Sequence, residues 1–232
     1  MGISSPDSSS TLGRQRHVSS SKHSESEDKS MHIAIVGAGR VGRALGSRWS
    51  QVGHDVHYGV RNPDDPKNAD LSTRGTVKES LVGADVALIA LPWAATRDTL
   101  SAFDFGDTVL LDATNPLAAS ARELVADSDL SGAELVRDWS RSSRVVKAFN
   151  TTGSANMVNP DYGNVRPMMP ISGDDDAAKQ LAIGLANEIG FDGFDAGPLS
   201  ASRDLEHLAM LWIRLAFPLG NGTDIAFSLL RR

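Results

Sequence analysis

The sequence contains no cysteine, which excludes disulfides, thiolate metal sites and a thiol nucleophile. It has no block of basic residues, and a net charge of -6 gives no electrostatic reason to bind nucleic acid. Long apolar runs are also missing. The longest, Leu208 to Leu219, is broken by Arg214 and Pro218 and is too short to cross a bilayer. Neither a G-x-S-x-G turn nor an H-E-x-x-H helix occurs, and no carboxylates pair in an obvious apolar setting. These absences argue against hydrolase and metalloenzyme chemistry. They leave a soluble cytoplasmic protein, with no membrane or nucleic-acid partner, as the expectation.

The first thirty residues lack apolar content. Met1 to Ser30 holds eleven serines but only one isoleucine, one leucine and one valine, so it cannot bury enough surface to offset the entropy of ordering. Residues 1–30 are expected to be a disordered leader. The segment has no apolar core of a secretory signal, and its four acidic residues argue against an organelle transit peptide. Met31 stands directly before the first predicted strand, which suggests that translation starts there.

What is present begins at that methionine. Met31 to Gly42 reads MHIAIVGAGRVG: a buried strand, a G-x-G-x-x-G turn and the start of a helix. Gly37 allows the tight turn, Gly39 lets backbone approach a pyrophosphate, and Gly42 lets helix and strand pack closely. The helix start offers free N–H groups and a positive dipole end to phosphate. Ala44, Leu45 and Trp49 continue the pattern at helical spacing. The stretch predicts dinucleotide binding.

A second strand over Asp55 to Gly59 ends in Val60-Arg61-Asn62-Pro63. An NAD enzyme places an acid near this position for the ribose 2'-hydroxyl, whereas an arginine suits the 2'-phosphate of NADP. Arg61 lies nineteen residues after Gly42, and a guanidinium can grip phosphate with a bidentate fork. A solvated loop arginine is the structural alternative, and Asp64 and Asp65 weaken the phosphate reading. Further strands are predicted over Asp85 to Leu91, ending in Pro92-Trp93, over Thr108 to Ala113, ending in Thr114-Asn115-Pro116, and over Arg144 to Phe149, ending in Asn150-Thr151. Trp93 either forms a wall beside the cofactor or packs on a helix. Pro116 is read as the entry to a helix through Ala118 to Ala126. Strand ends thus bring Gly37, Arg61, Pro92, Asn115 and Asn150 to one rim of a Rossmann-type, doubly wound parallel sheet.

The pattern then changes. Residues 31–152 are assigned to the dinucleotide-binding domain and 153–232 to a small C-terminal α/β domain for acceptor binding and dimerisation. Arg166 to Ser172 reads as an edge strand, because Pro167 and Pro170 cannot donate to a ladder. Gly173-Asp174-Asp175-Asp176 opens a helix to Ile189, with carboxylates at its positive end rather than at a metal. After a strand at Phe191 to Ala196, Ser200 or Ser202 would cap a last helix. Its second half has little polar face, which predicts burial between domains or in a homodimer. His54 and His207 read as a structural and a partly exposed residue rather than acid/base groups. Hydride transfer needs neither, since it depends on holding the nicotinamide against an acceptor.

GAGRVG, the Gly-x-Arg strand end, Leu91-Pro92-Trp93, the Gly173 to Asp176 helix start and Asp195-Ala196-Gly197-Pro198-Leu199 with Ser202-Arg203 together resemble the NADPH-dependent coenzyme F420 reductase family. The resemblance implies hydride transfer between NADP(H) and a deazaflavin, with Arg40, Val41, Arg61, Asn62, Leu91, Pro92 and Trp93 at the NADP site. It also places Val60 where that family has a serine or threonine for the 2'-phosphate. Lys147 to Thr151, KAFNT, is instead similar to bacterial dinucleotide-binding proteins and to the NADPH-binding domain of membrane ferric reductases, where the acceptor is a flavin, FMN or FAD. A dehydrogenase of small hydroxy acids or imines and a non-catalytic NADP sensor are the alternatives. The former usually closes its site with a long helical domain, and only thirty-five residues follow Gly197.

Overall fold

A computed structural model describes residues 30–120, 123–125 and 129–232. The leader expected over residues 1–30 therefore lies, except for Ser30, outside the described residues. The chain alternates strands and helices: β1 (His32–Val36), α1 (Arg40–Gln51), β2 (Asp55–Gly59), β3 (Arg74–Gly75), α2 (Val77–Ser80), β4 (Val86–Ile89), α3 (Trp93–Ser101), β5 (Val109–Asp112), α4 (Gly132–Ser140), β6 (Val145–Lys147), α5 (Ser154–Val158), β7 (Met168–Gly173), α6 (Asp176–Glu188), β8 (Asp192–Asp195) and α7 (Ser202–Ala216).

The strands form one sheet in the order β3-β2-β1-β4-β5-β6-β7-β8. Every pairing is parallel except β6 with β7. This is the expected α/β Rossmann-type architecture. Apolar residues on the central strands divide by parity. Ile33 and Ile35 join a core with Leu45, Trp49 and Phe191, while Ala34 and Val36 join a second core with Leu100 and Val136. Helices therefore cover both faces, as a parallel sheet requires. Trp49 is fully buried, and its indole N–H donates to the Leu185 carbonyl at 3.1 Å, joining α1 to α6.

Three expectations need correction. β7 is an interior strand between β6 and β8, not an edge. Proline is tolerated there because β6 pairs only with Ser172 and Gly173. The Met168 N–H, on the same side as position 170, turns instead to the Phe227 carbonyl at 2.8 Å, so Pro170 falls in the gap between these partners. The helix expected over Ala118 to Ala126 is replaced, where described, by chain that doubles back through a Leu117–Leu124 bridge. Helix α4 covers the sheet at this crossover, burying Ala133 and Val136 and starting from a reciprocal Ser131–Glu134 capping box. Finally, neither Ser200 nor Ser202 caps α7. A short 3-10 turn over Leu199–Ala201 leads into it, and the Ser202 hydroxyl bonds Ser172 at 2.7 Å, pinning α7 to β7.

Candidate active site

A cleft of about 810 Å³ opens at the carboxyl ends of β1, β2 and β4, where open α/β sheets bind ligands. Gly37, Gly39, Arg61, Asn62, Leu91 and Pro92 all line it. The glycines divide their work. Gly37 has φ +106°, and a methyl group there would lie 2.5 Å from the Ala90 carbonyl oxygen. A methyl at Gly42 would run into the Gly37 carbonyl, so this glycine sets helix-to-strand packing. Around Gly39 nothing lies within 4 Å of that position, which leaves room for a ligand against the backbone. Helix α1 starts there with no side-chain cap and no acid in its first turn, so its N–H groups and dipole are available to an anion.

Arg61 is exposed on the cleft wall and has no ion-pair partner among the described residues. Val60, in contrast, is buried in the core and offers no polar group. Lys67 and Thr76, which sequence reasoning missed, also line the cleft. Lys67 pairs with Asp65 at 2.8 Å, and hydrogen bonds from Lys67 hold the Asp65 carboxyl below its ordinary value. Arg43 clamps this loop to the glycine turn, bonding the Ala38 carbonyl at 2.9 Å and Asp70 at 2.6 Å. The loop around Lys67 had no sequence signal, because its place depends on that long-range clamp.

Other predicted residues stand elsewhere. Arg40 lines a separate groove between α1 and α5, and Val41 packs against the core. Trp93 packs at a tilt of 44° on Trp139 of α4, with ring centroids 5.1 Å apart, so its place is the packing alternative rather than the cleft wall. Asn115 and Asn150 do not line the cleft but bond each other. The Asn150 amide donates to Asn115 Oδ1 and to the Leu205 carbonyl, and the Asn115 amide donates to the Asn150 carbonyl, at 3.0 to 3.1 Å. They join the ends of β5 and β6 to α7, and Thr151 is buried beside them in sequence. His54 is structural as expected, 2.7 Å from Glu188, and His207 is exposed.

Behind this rim lies a charged cluster that sequence reading passed over. Lys147 is fully buried, with Nζ 2.9 Å from Asp112 Oδ2, 2.8 Å from the Thr114 carbonyl and 3.0 Å from Glu206 Oε1. The other Asp112 oxygen accepts from the Thr114 hydroxyl and N–H, and Glu206 Oε2 accepts from the Gly132 N–H. Burial pushes the Lys147 pKa down, but the two carboxylates outweigh it and the net shift is upward, so the ammonium is a fixed charge and not a base. A signal existed: Asp112 closes the apolar run TVLLDA and Lys147 interrupts the apolar run VVKAF. Charges inside strands need partners. Next to the cluster, Phe149 has φ +60°, rare for an aromatic residue, and is held between Trp49 and Phe191 at ring distances of 5.5 and 6.2 Å.

The fold and cleft define a dinucleotide-binding α/β protein. Residues 32–116 match the family model described as NADP oxidoreductase coenzyme F420-dependent. An F420-dependent NADP reductase from Methanocaldococcus jannaschii is 31% identical over 146 residues, covering 60% of this chain and 65% of that protein. The rat metalloreductase STEAP3 is 26% identical over 182 residues, covering 77% of this chain and 36% of that one. The chain thus spans less than two thirds of either curated relative. A solved structure from Arthrobacter sp. FB24, provisionally assigned as an F420-dependent NADP-reductase, superposes with a TM-score of 0.75 at 27% identity, over 87% of this chain and 100% of that chain.

Proposed function

We propose that the protein is an NADP(H)-dependent oxidoreductase that moves hydride between nicotinamide and a deazaflavin (coenzyme F420) or a flavin, FMN or FAD. The observation that carries this reading is the pairing, in one cleft, of an uncapped helix start above open Gly39 with Arg61, which has no ion-pair partner among the described residues. The residues fit NADP: the α1 N–H groups would hold the pyrophosphate, while Arg61, with Asn62 and Lys67 beside it, would hold the 2'-phosphate. Leu91 and Pro92 would bound the nucleotide on the other wall. Bound nicotinamide supplies the hydride, and the chain contributes binding, orientation and exclusion of water. The ends of β5 and β6, stiffened by Asn115, Asn150 and the Lys147 cluster, would set the nicotinamide end.

The test is direct. NADPH absorbance should decay when the protein is mixed with F420, FMN or FAD and stay constant with small imines, hydroxy acids or carbonyls. Clear NADPH binding with no decay for any acceptor would instead favour a sensor. Under the same reading, the segment after residue 152 serves the acceptor and a homodimer. Supporting the dimer, Leu211, Phe217 and Leu219 are 46%, 62% and 63% exposed along the end of α7 and beyond it. Light scattering is expected to give twice the chain mass, and a stable monomer at micromolar concentration would remove the dimer.

A further inference from the structure

At the amino-terminal rim of the sheet, opposite the cleft, we propose a binding site for a divalent first-row transition metal built from His32, Asp55 and His57. β1 and β2 pair in parallel register with His32 opposite Asp55, and His57 follows Asp55 by two positions. All three side chains therefore leave the same face of the sheet. One ligand atom from each lies within 4.8 Å of the others, and the two imidazole rings approach to 4.4 Å between centroids. Around a tetrahedral ion with bonds of about 2.0–2.1 Å, donors sit roughly 3.3 Å apart, so small side-chain rotations close the set.

His57 Nε2 is already 3.0 Å from Asp55 Oδ1. His32 Nε2 is shielded from solvent yet has no hydrogen-bond partner among the described residues. Asp85 adds negative charge nearby, accepting the His32 backbone N–H at 2.9 Å. Two imidazoles and one carboxylate favour Zn²⁺, Co²⁺ or Ni²⁺ over Mg²⁺ or Ca²⁺. β1, five residues long, separates the site from the glycine turn by about 16 Å. The ion would join two strand starts and take no part in hydride transfer.

The test titrates the full chain, stripped with chelator, with Co²⁺ and then Zn²⁺. One Co²⁺ per chain is expected, with visible ligand-field bands that Zn²⁺ abolishes. His57→Gln and Asp55→Asn should each weaken binding by at least about tenfold, with circular dichroism showing that they fold. Replacing His17 and His23 by Gln, which removes the histidines of the serine-rich segment, should leave it unchanged. The proposal is overturned by no stoichiometric Co²⁺ bands, by equal affinity in folded His57→Gln and Asp55→Asn, or by loss in the His17/His23 variant.

Discussion

Replacing Lys147 by Met is expected to lower the unfolding free energy by about 3–5 kcal/mol, the cost of leaving a buried charge without its partner. The variant keeps the volume of the side chain but removes the ammonium from between Asp112 and Glu206, both buried with it. Each carboxylate retains hydrogen bonds, from Thr114 and from Gly132 respectively, yet neither has another cation among the described residues. Urea unfolding gives the number. Adding Asp112→Asn and Glu206→Gln to Lys147→Met should recover part of the loss, because the triple variant buries no net charge. A single variant within about 0.5 kcal/mol of the parent would mean that the cluster contributes nothing to stability.

The pH dependence separates this account from a simple packing defect. In the parent the Lys147 pKa is raised above its ordinary 10.5, so its contribution is fully present below that value and is lost only as pH climbs through the higher folded value. No part of it varies near neutrality. The deficit of Lys147→Met should therefore hold steady through neutral pH and narrow only as pH climbs through the raised Lys147 value, where the parent loses the same charge. A deficit that stays constant as pH rises past the ordinary lysine range would point to packing alone.

How much of this was legible in the sequence follows from how local each feature is. The glycine turn and its strand could be read because one stretch of chain holds every residue of that unit: Gly42 answers to a contact within it, Gly37 to the Ala90 carbonyl just past β4, and Gly39 to the open space above it. The central strands were readable as apolar runs. The place of β7 was not, since proline argues for an edge unless one knows that β6 is three residues long and pairs with only its end. Asn115 and Asn150 were placed correctly at the rim but assigned to the ligand, whereas the structure shows them spending their amides on each other and on α7. Glu206 was hidden for a similar reason. On a helical pattern it sits among Arg203, Asp204 and His207 as a solvated charge, and only the fold brings it to Lys147. Sequence periodicity locates faces, and pairings across some sixty residues lie beyond its reach.

Replacing Arg61 by Ala should weaken NADPH by about 10- to 100-fold while changing NADH less than about twofold, the size of one or two charge-assisted hydrogen bonds to a single phosphate. The guanidinium stands on the cleft wall just past the end of β2 and has no ion-pair partner among the described residues, so its removal breaks nothing inside the protein. That makes the nucleotide comparison clean, because both cofactors share every contact except the one at the 2' position. Lys67 gives a second, graded readout. Its ammonium is already 2.8 Å from Asp65, so part of its charge is spoken for, and Lys67→Ala should reduce NADPH affinity less than Arg61→Ala does. Val60 is buried and offers no hydroxyl, so under the proposed reading these two cations would supply most of the discrimination. Val60→Thr is therefore not expected to restore affinity to the Arg61→Ala protein, since its hydroxyl would face the core. Fluorescence titration of NADPH and NADH against the parent and the variants measures all of this, and an equal loss of both nucleotides in Arg61→Ala would refute the phosphate role.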